Sequence, residues 1–294
     1  RSIGVLSNNV VHTVVDAAGS GDHQTVASAL ASLPPEGGVV LVRAGTYAGG
    51  LTIPARVTLR GAGPDQTRIL APVWNGSGLR TEAITVAGDD VVIEGLEVDG
   101  QRASQPAAAD LNGLITVTGA RVAIRQCRLL NAISHGVSLL PAASDAVVEN
   151  CEIYNLYNPA TNNLPAGTEG TAQVGVRCEG AVRPILRNNL VRGWGQGMVL
   201  AGGVTNGLVA GNEFTDFGQG ILLTGAAGGI LVQSNSFPRL SSNAVAINAA
   251  GCDGHQIIGN VLFATNYAVA IRLEAGTNHL VASNTITLPG QHVL

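Results

Sequence analysis

The chain has 294 residues, of which 46% are hydrophobic, 12% charged and 3% aromatic, and its formal net charge is −4. That balance excludes a disordered chain and, with no basic run, a nucleic-acid-binding surface. All 16 basic residues are Arg, which excludes a Lys base or Schiff base, and no apolar run is long enough to span a bilayer.

Residues 1–37 read as an N-terminal strand and a helical cap. Val11 to Val15 alternates as a strand, and Gly19 to Asp22 forms a turn with Asp22 or Thr25 available as a helix N-cap. Val26, Leu30 and Leu33 fall at i, i+4 and i+7, giving one apolar face, and Pro34 and Pro35 end the helix. The helix is expected to cover the open end of the structure that follows.

Residues 38–294 read as repeated coils, and together with the cap they make a single domain, 1–294. Short stretches recur on an Asn-x-apolar pattern, starting at Cys127, Cys151, Asn188, Asn212, Asn235, Asn260 and Asn284, with steps of 24, 37, 24, 23, 25 and 24 residues. Beside it runs a second phase, a small residue followed by alternating apolar positions, opening at Gly136, Gly197, Gly220, Ala244 and Ala268. Such a period, with two short strands in each, predicts an all-β fold: a parallel β-solenoid whose coils share one core. Three stretches break the spacing, at residues 73–82, 101–112 and 154–172, and all enter just before the second strand. Insertions at one phase map to one face, often the binding face. After Thr287 no capping helix is expected, so the last edge is covered by a second copy of the chain or a further segment, blunted by Pro289, or covered by the short irregular tail itself.

Aligning the coils on the small residue puts Glu82, Asn112, His135, Val174, Gln196, Gln219, Asn243 and Tyr267 in the column just before it, with Arg80 and Asp110 two residues earlier than Glu82 and Asn112. Thr85, Ile115, Ser138 and Arg177 form a second column beyond it, and Arg177 falls one coil from His135. This is the densest set of ionisable groups, and it lies under the insertions. A His suits proton transfer near neutral pH, with carboxylates and Arg to tune it or to bind an acidic sugar. The bland alternative is a ladder of corner side chains that satisfies turn backbone, and Gln196, Gln219 and Asn243 read that way. Trp74, Tyr154 and Tyr157, near the insertions, offer rings on which sugars stack.

Two resemblances enter here. The segments Asp16 to Asp22, Val40 to Tyr47, Leu51 to Pro54 and Leu59 to Thr67 resemble the start of pectin methylesterases and related right-handed parallel β-helix proteins. This implies a single-stranded right-handed β-helix of the pectate lyase-like kind. The paired Asp and Arg of the methylesterase site have no counterpart downstream, so that activity is not implied. The coil pattern is similar to that of alginate C5-epimerases and their lyase relatives, which carry Asp-x-His before one strand and Asp before Gly in the next coil. The matching positions here are Asp110-Leu111-Asn112 and Ser134-His135-Gly136, so Asp110 matches while the His has moved.

The resemblances imply a secreted or cell-surface enzyme acting on an acidic polysaccharide by lyase or epimerase chemistry. In that scheme His135 is the base, Arg177 or Arg80 neutralises the substrate carboxylate, Asn112 hydrogen-bonds it, Tyr157 protonates the leaving oxygen, and Gln196 lines the site. Glu82, Asp110 and Glu169 offer a rival in glycoside hydrolysis by paired carboxylates. A non-catalytic fibre or surface-binding module is the third reading. No cofactor is required. Glu94, Glu97 and Asp99 suggest calcium, but no ligand set with enough oxygens is evident, and the bland reading is of solvated acids. Cys127, Cys151, Cys178 and Cys252 read as buried thiols, with a Cys127–Cys151 bridge conceivable because the two share a column.

Overall fold

The structure, a computed structural model, describes residues 11–73, 82–104, 113–155, 173–225, 227–241, 243–264 and 268–287. Each coil carries three strands rather than the two expected. Alternating Val, Ile and Leu place one side of every strand inside, as in Gly38–Val42 and Val57–Gly61. The strand missed by the repeat pattern is the short first one, such as Ile185–Arg187 or Leu208–Ala210, which has too few residues to show a period. These first-face strands stack into an 11-stranded parallel sheet running from His12–Val15 to Leu280–Ala282. The second and third faces belong to a 17-stranded sheet that turns a corner. They join because Leu190–Ala201 and Glu213–Thr224 each continue through the corner as one strand.

The helix is Val26–Ser32, and of the two candidate caps Thr25 is the one used: its Oγ1 accepts from Ser28 N at 3.1 Å. Asp22 instead accepts from Val14 N at 2.8 Å. Val26, Ala29 and Leu30 are buried, and the helix packs on His12–Val15, Gly38–Val42 and Leu51–Ile53 at the first coil, as a cap would.

The bend from first to second face is made by one residue in the left-handed region. Gln126 (φ 53°), Asn150 (53°), Asn188 (55°), Gly211 (63°) and Ser234 (54°) occupy it in successive coils. The next residue turns its side chain inward, and there the repeat register needs correcting. Glu152 pairs with Leu190 and Leu190 with Glu213, so the repeat residue is Asn189 and not Asn188, which is the bend residue. Asn189, Asn212, Asn235 and Asn260 are buried and form a continuous amide ladder. Asn212 Nδ2 donates to Leu186 O and to Asn235 Oδ1, both at 2.9 Å, and Asn212 N donates to the same Oδ1 at 3.0 Å. In return Asn212 Oδ1 accepts from Asn189 N and Nδ2, both at 3.0 Å. The column begins with Cys127 and Cys151. All four Cys are free and buried, so no Cys127–Cys151 bridge forms; the thiols of Cys127, Cys151 and Cys252 donate to carbonyls, Cys127 Sγ to Ile93 O at 3.7 Å.

Inside, Phe214 and Phe237 stack at 4.9 Å between ring centroids with Phe217 edge-on to both, and Trp194 Nε1 donates to Ile153 O at 3.0 Å. The small residues that open the third-face strands make room for these rings: a Cβ on Gly197 would lie 2.5 Å from Gly220 O and 2.8 Å from Phe214 Cδ1.

Outside, charges alternate in sign from coil to coil. Arg60, Glu94, Arg125, Glu149 and Arg187 are in register on the first face, with Glu94 bridged by Arg60 and Arg125 and Glu149 paired with Arg187. Arg68, Glu97, Arg128 and Glu152 repeat the device on the second face. Glu94, Glu97 and Asp99 are therefore not solvated acids; they are buried at 6%, 9% and 3% exposure and ion-paired. Burial pushes the Glu94 carboxyl up, but the hydrogen bonds from Arg125 and Arg60 prevail and hold it below its ordinary value. No helix among the described residues is long and apolar enough to cross a membrane.

Replacing Asn235 with Ala strands Asn212 N, the Asn212 amide and Val209 O at once. We expect this to cost at least about 3 kcal/mol. Asn188→Gly, at the exposed left-handed bend, should change stability by no more than about 0.5 kcal/mol. Urea denaturation of both variants checks the contrast, and similar losses would show that the ladder is not what holds the coils.

Candidate functional site

The described strands on either side put all three longer stretches between a second-face and a third-face strand. The corner before His135–Leu139 takes only residues 131–134, whereas those before Gly113–Val117 and Val174–Glu179 take residues 100–112 and 155–173. His135 thus opens the third-face strand of a short coil between two long ones.

Strand register corrects both side-chain columns. His135 pairs with Gly113 and Val174, and Gln196 with Gln219 and Val174, so the first column reads Glu82, Gly113, His135, Val174, Gln196, Gln219, Val245 and Val269. Asn243 is two residues out of it, and Asn112 and Tyr267 lie outside the described residues. Glu82 stands two coils from His135, about 10 Å at the usual strand spacing. Gln196 Nε2 donates to Gln219 Oε1 at 2.9 Å, the ladder expected of that pair. The second column reads Thr85, Thr116, Ser138 and Arg177; Ile115 is fully buried in the core and Thr116 takes its place.

Of the candidate residues, Glu82, His135, Arg177 and Gln196 are therefore placed, while Trp74, Arg80, Asp110, Asn112, Tyr157 and Glu169 lie outside the described residues. Tyr154 packs its ring under Arg192, whose Cζ is 4.5 Å from the centroid. Arg177 is half-buried and donates from Nε to Glu179 Oε2 at 2.8 Å, with a second bond from Nη2.

Around His135 lies a concentration of polar atoms without hydrogen-bond partners. Seven such buried side-chain atoms occur among the described residues, and four are here: Arg102 Nη2, Thr116 Oγ1, His135 Nδ1 and Ser138 Oγ. Native proteins pair nearly all buried polar groups, and exceptions need a physical account. Thr116 and Ser138 are 4% and 2% exposed although their column faces away from the core. The backbone is close-fitted around them: a Cβ on Gly113 would lie 2.8 Å from Ser138 N and 3.1 Å from Ser138 Oγ. Burial, and then the charge of Arg177, push the His135 imidazole down to about 4, against smaller opposing effects of the Ser134 backbone and Glu179. The ring is neutral at pH 7, with one nitrogen uncommitted. Sequence reasoning missed Thr116 because the register was off by one, and missed Arg102 because it sits in an insertion with no period. Among the described residues no group of three or more His, Cys, Asp and Glu can hold a metal.

Residues 112–290 match the family model described as the right handed beta helix region, and the chain belongs to that family. No curated protein matches significantly. Among solved structures the fold is similar to the A-module of a mannuronan C-5 epimerase from Azotobacter vinelandii, at 16% identity and TM-score 0.58, over 90% of this chain and 92% of that one. It is also similar to an exopolygalacturonase from Thermotoga maritima, at 12% identity and TM-score 0.62, over 88% of this chain and 73% of that one. A third is the Dettilon tailspike protein, at 16% identity and TM-score 0.67, over 96% of this chain but 63% of that one. At these identities the likeness is one of fold.

Because the folded state favours neutral imidazole, His135 contributes stability in full above pH 6.5 and loses it as pH falls towards about 4. Buried His255, also pushed down to about 4 by burial and by His279, acts in the same sense. We expect His135→Gln to reduce the stability lost between pH 7 and pH 5 by roughly 2 kcal/mol. Equilibrium unfolding at the two pH values measures this, and an unchanged difference would place the imidazole in water.

Proposed function

We propose that the chain is a secreted or cell-surface carbohydrate-active enzyme that removes a proton next to the carboxylate of a uronate-containing polysaccharide, as a lyase or an epimerase. The observation that carries this reading is the set of unpartnered polar atoms around neutral His135, beside Arg177, on the insertion-bearing corner. The named relatives include an epimerase of mannuronan and an exopolygalacturonase, and they support an acidic glycan as substrate.

In the reaction the C5–H bond breaks, the proton passes to His135, and the electron pair is delocalised into the sugar carboxylate. Arg177 faces the charge that develops, and Ser138 and Thr116 hydroxyls hydrogen-bond to sugar oxygens. A lyase then breaks the C4–O4 bond as C4=C5 forms, and O4 leaves with the proton held by the His135 imidazolium, whereas an epimerase takes a proton from water on the opposite face and the imidazolium gives its own to solvent. An anionic carboxylate beside the ring raises its proton affinity in the complex, so the low value in the free protein does not bar proton uptake. The hydrolytic reading needs two carboxylates across one cleft. Of Glu82, Asp110 and Glu169, only Glu82 is among the described residues, and it stands two coils from His135.

The test is incubation with polymannuronate, polygalacturonate and neutral glucans, following absorbance from unsaturated product, new reducing ends and C5 inversion by NMR. Absorbance or inversion on an acidic polymer is expected, and His135→Ala should lower turnover at least about 100-fold while the melting transition stays cooperative. Reducing ends alone would move the reaction to hydrolysis, and no change in any channel would favour a fibre or binding module. The acid limb of kcat/KM is expected at about 4, the His135 value, rather than 6.5.

A further inference from the structure

Among the described arginines Arg102 is unlike the rest. It lies in the short helical turn Arg102–Ser104 that starts the second insertion. It reaches across two coils: Nη1 donates to Ala132 O at 3.1 Å and to Asn155 Oδ1 at 2.8 Å. Ala132 begins the run of residues that leads into His135, and the same corner is tied by Asn155 Nδ2 to Ala132 O at 3.0 Å and by Gln173 Nε2 to Ile133 O at 3.2 Å. The guanidinium is thus held in place against the His135 corner by neutral acceptors.

What it lacks is a carboxylate. Arg43, Arg60, Arg68, Arg121, Arg125, Arg128, Arg177, Arg183, Arg187 and Arg272 all pair with Asp or Glu. Arg56, Arg192 and Arg239 have no acid partner among the described residues either, but they are exposed to water, whereas Arg102 is partly buried. Its Nη2 is buried with no hydrogen bond at all. Burial lowers the affinity of Arg102 for its proton, and among the described residues no carboxylate offsets that cost. The free edge is also the useful one. Arg121 and Arg183 grip Asp90 and Asp145 with Nε and Nη2 in parallel, at 2.6 and 2.9 Å and at 2.6 and 2.7 Å. In Arg102 Nη1 is occupied and that bidentate edge is not, which suits a planar carboxylate.

We infer that Arg102 is the residue that recognises the substrate's carboxylate, with its Nε–Nη2 edge forming a bidentate pair with the uronate next to His135. Arg177, already joined to Glu179, is left to face charge that develops in the reaction. This assignment rests on the proposed action on acidic glycans and deepens it.

The experiment is calorimetric titration with mannuronate and galacturonate trisaccharides and with their methyl esters. Wild type is expected to bind one of the acids at least about tenfold more tightly than its ester, the lower end of what a charge-assisted pair contributes. Arg102→Gln should abolish that preference while changing ester affinity less than about twofold, and Arg177→Gln should retain it. Arg102→Lys keeps the charge without the fork, and it should lose most of the preference. It serves in place of Arg102→Gln should that variant fail to fold. An acid preference that survives both Arg102 changes overturns this inference and leaves the proposed reaction standing. Wild type that binds none of the four ligands overturns the inference together with the reading beneath it.

Discussion

A column of asparagine amides inside the solenoid is what the other features depend on. The coils are held edge to edge by backbone hydrogen bonds, but those alone permit slippage, since a parallel ladder looks the same after a shift of two residues. A buried Asn does not tolerate that shift. Each amide from Asn189 to Asn260 donates to a main-chain carbonyl and to the next amide, and receives the backbone N–H of the coil before it. Moving one coil strands several buried polar groups together. The left-handed residue just before each of these positions turns the chain so that the amide points inward.

The charged ladders outside work to the same end by a different physics. Arg and Glu alternate across coils, so each carboxylate meets a guanidinium above or below it. Single exposed pairs contribute little, yet Glu94 is buried between two arginines, and a shift in register would part its carboxylate from both. A chain whose basic residues are all Arg suits this role, because the planar fork can bridge two coils where an ammonium acts as a point. Against that background the corner at His135 stands out by contrast. Along the ladders charge and hydrogen-bonding capacity are matched coil by coil; here a guanidinium nitrogen, two hydroxyls and an imidazole nitrogen, four of the seven unpartnered buried atoms among the described residues, are not. A rigid scaffold can hold such groups unmatched because the ladders on either side supply the stability the corner forgoes.

The repeating solenoid, its helical cap and the common corner of the three insertions were legible in the sequence, because each is written in a local pattern: a step of about two dozen residues, an i, i+4, i+7 face, a phase at which spacing breaks. His135 and Arg177 were placed one coil apart for the same reason. The third strand per coil was not legible, since three-residue strands have no period to detect. The choice of Asn189 over Asn188 was not legible either: both residues are Asn, and only the pairing of Leu190 with Glu152 and Glu213 separates the bend residue from the ladder residue. The same ambiguity put Ile115 and Asn112 in columns that belong to Thr116 and Gly113.

By itself, then, the sequence determined that stacked coils share an apolar core and which face carries the additions, because hydrophobic periodicity and insertion phase are properties of neighbouring residues. Only the tertiary structure decided which polar groups are matched and which are not. Glu94 and Arg102 are each a lone charge in the sequence. One is enclosed by two arginines from neighbouring coils, and the other is fixed by a carbonyl and an amide with its carboxylate-binding edge unfilled. That distinction depends on residues 30 to 53 positions away along the chain, brought together by the winding of the coils and by no local signal.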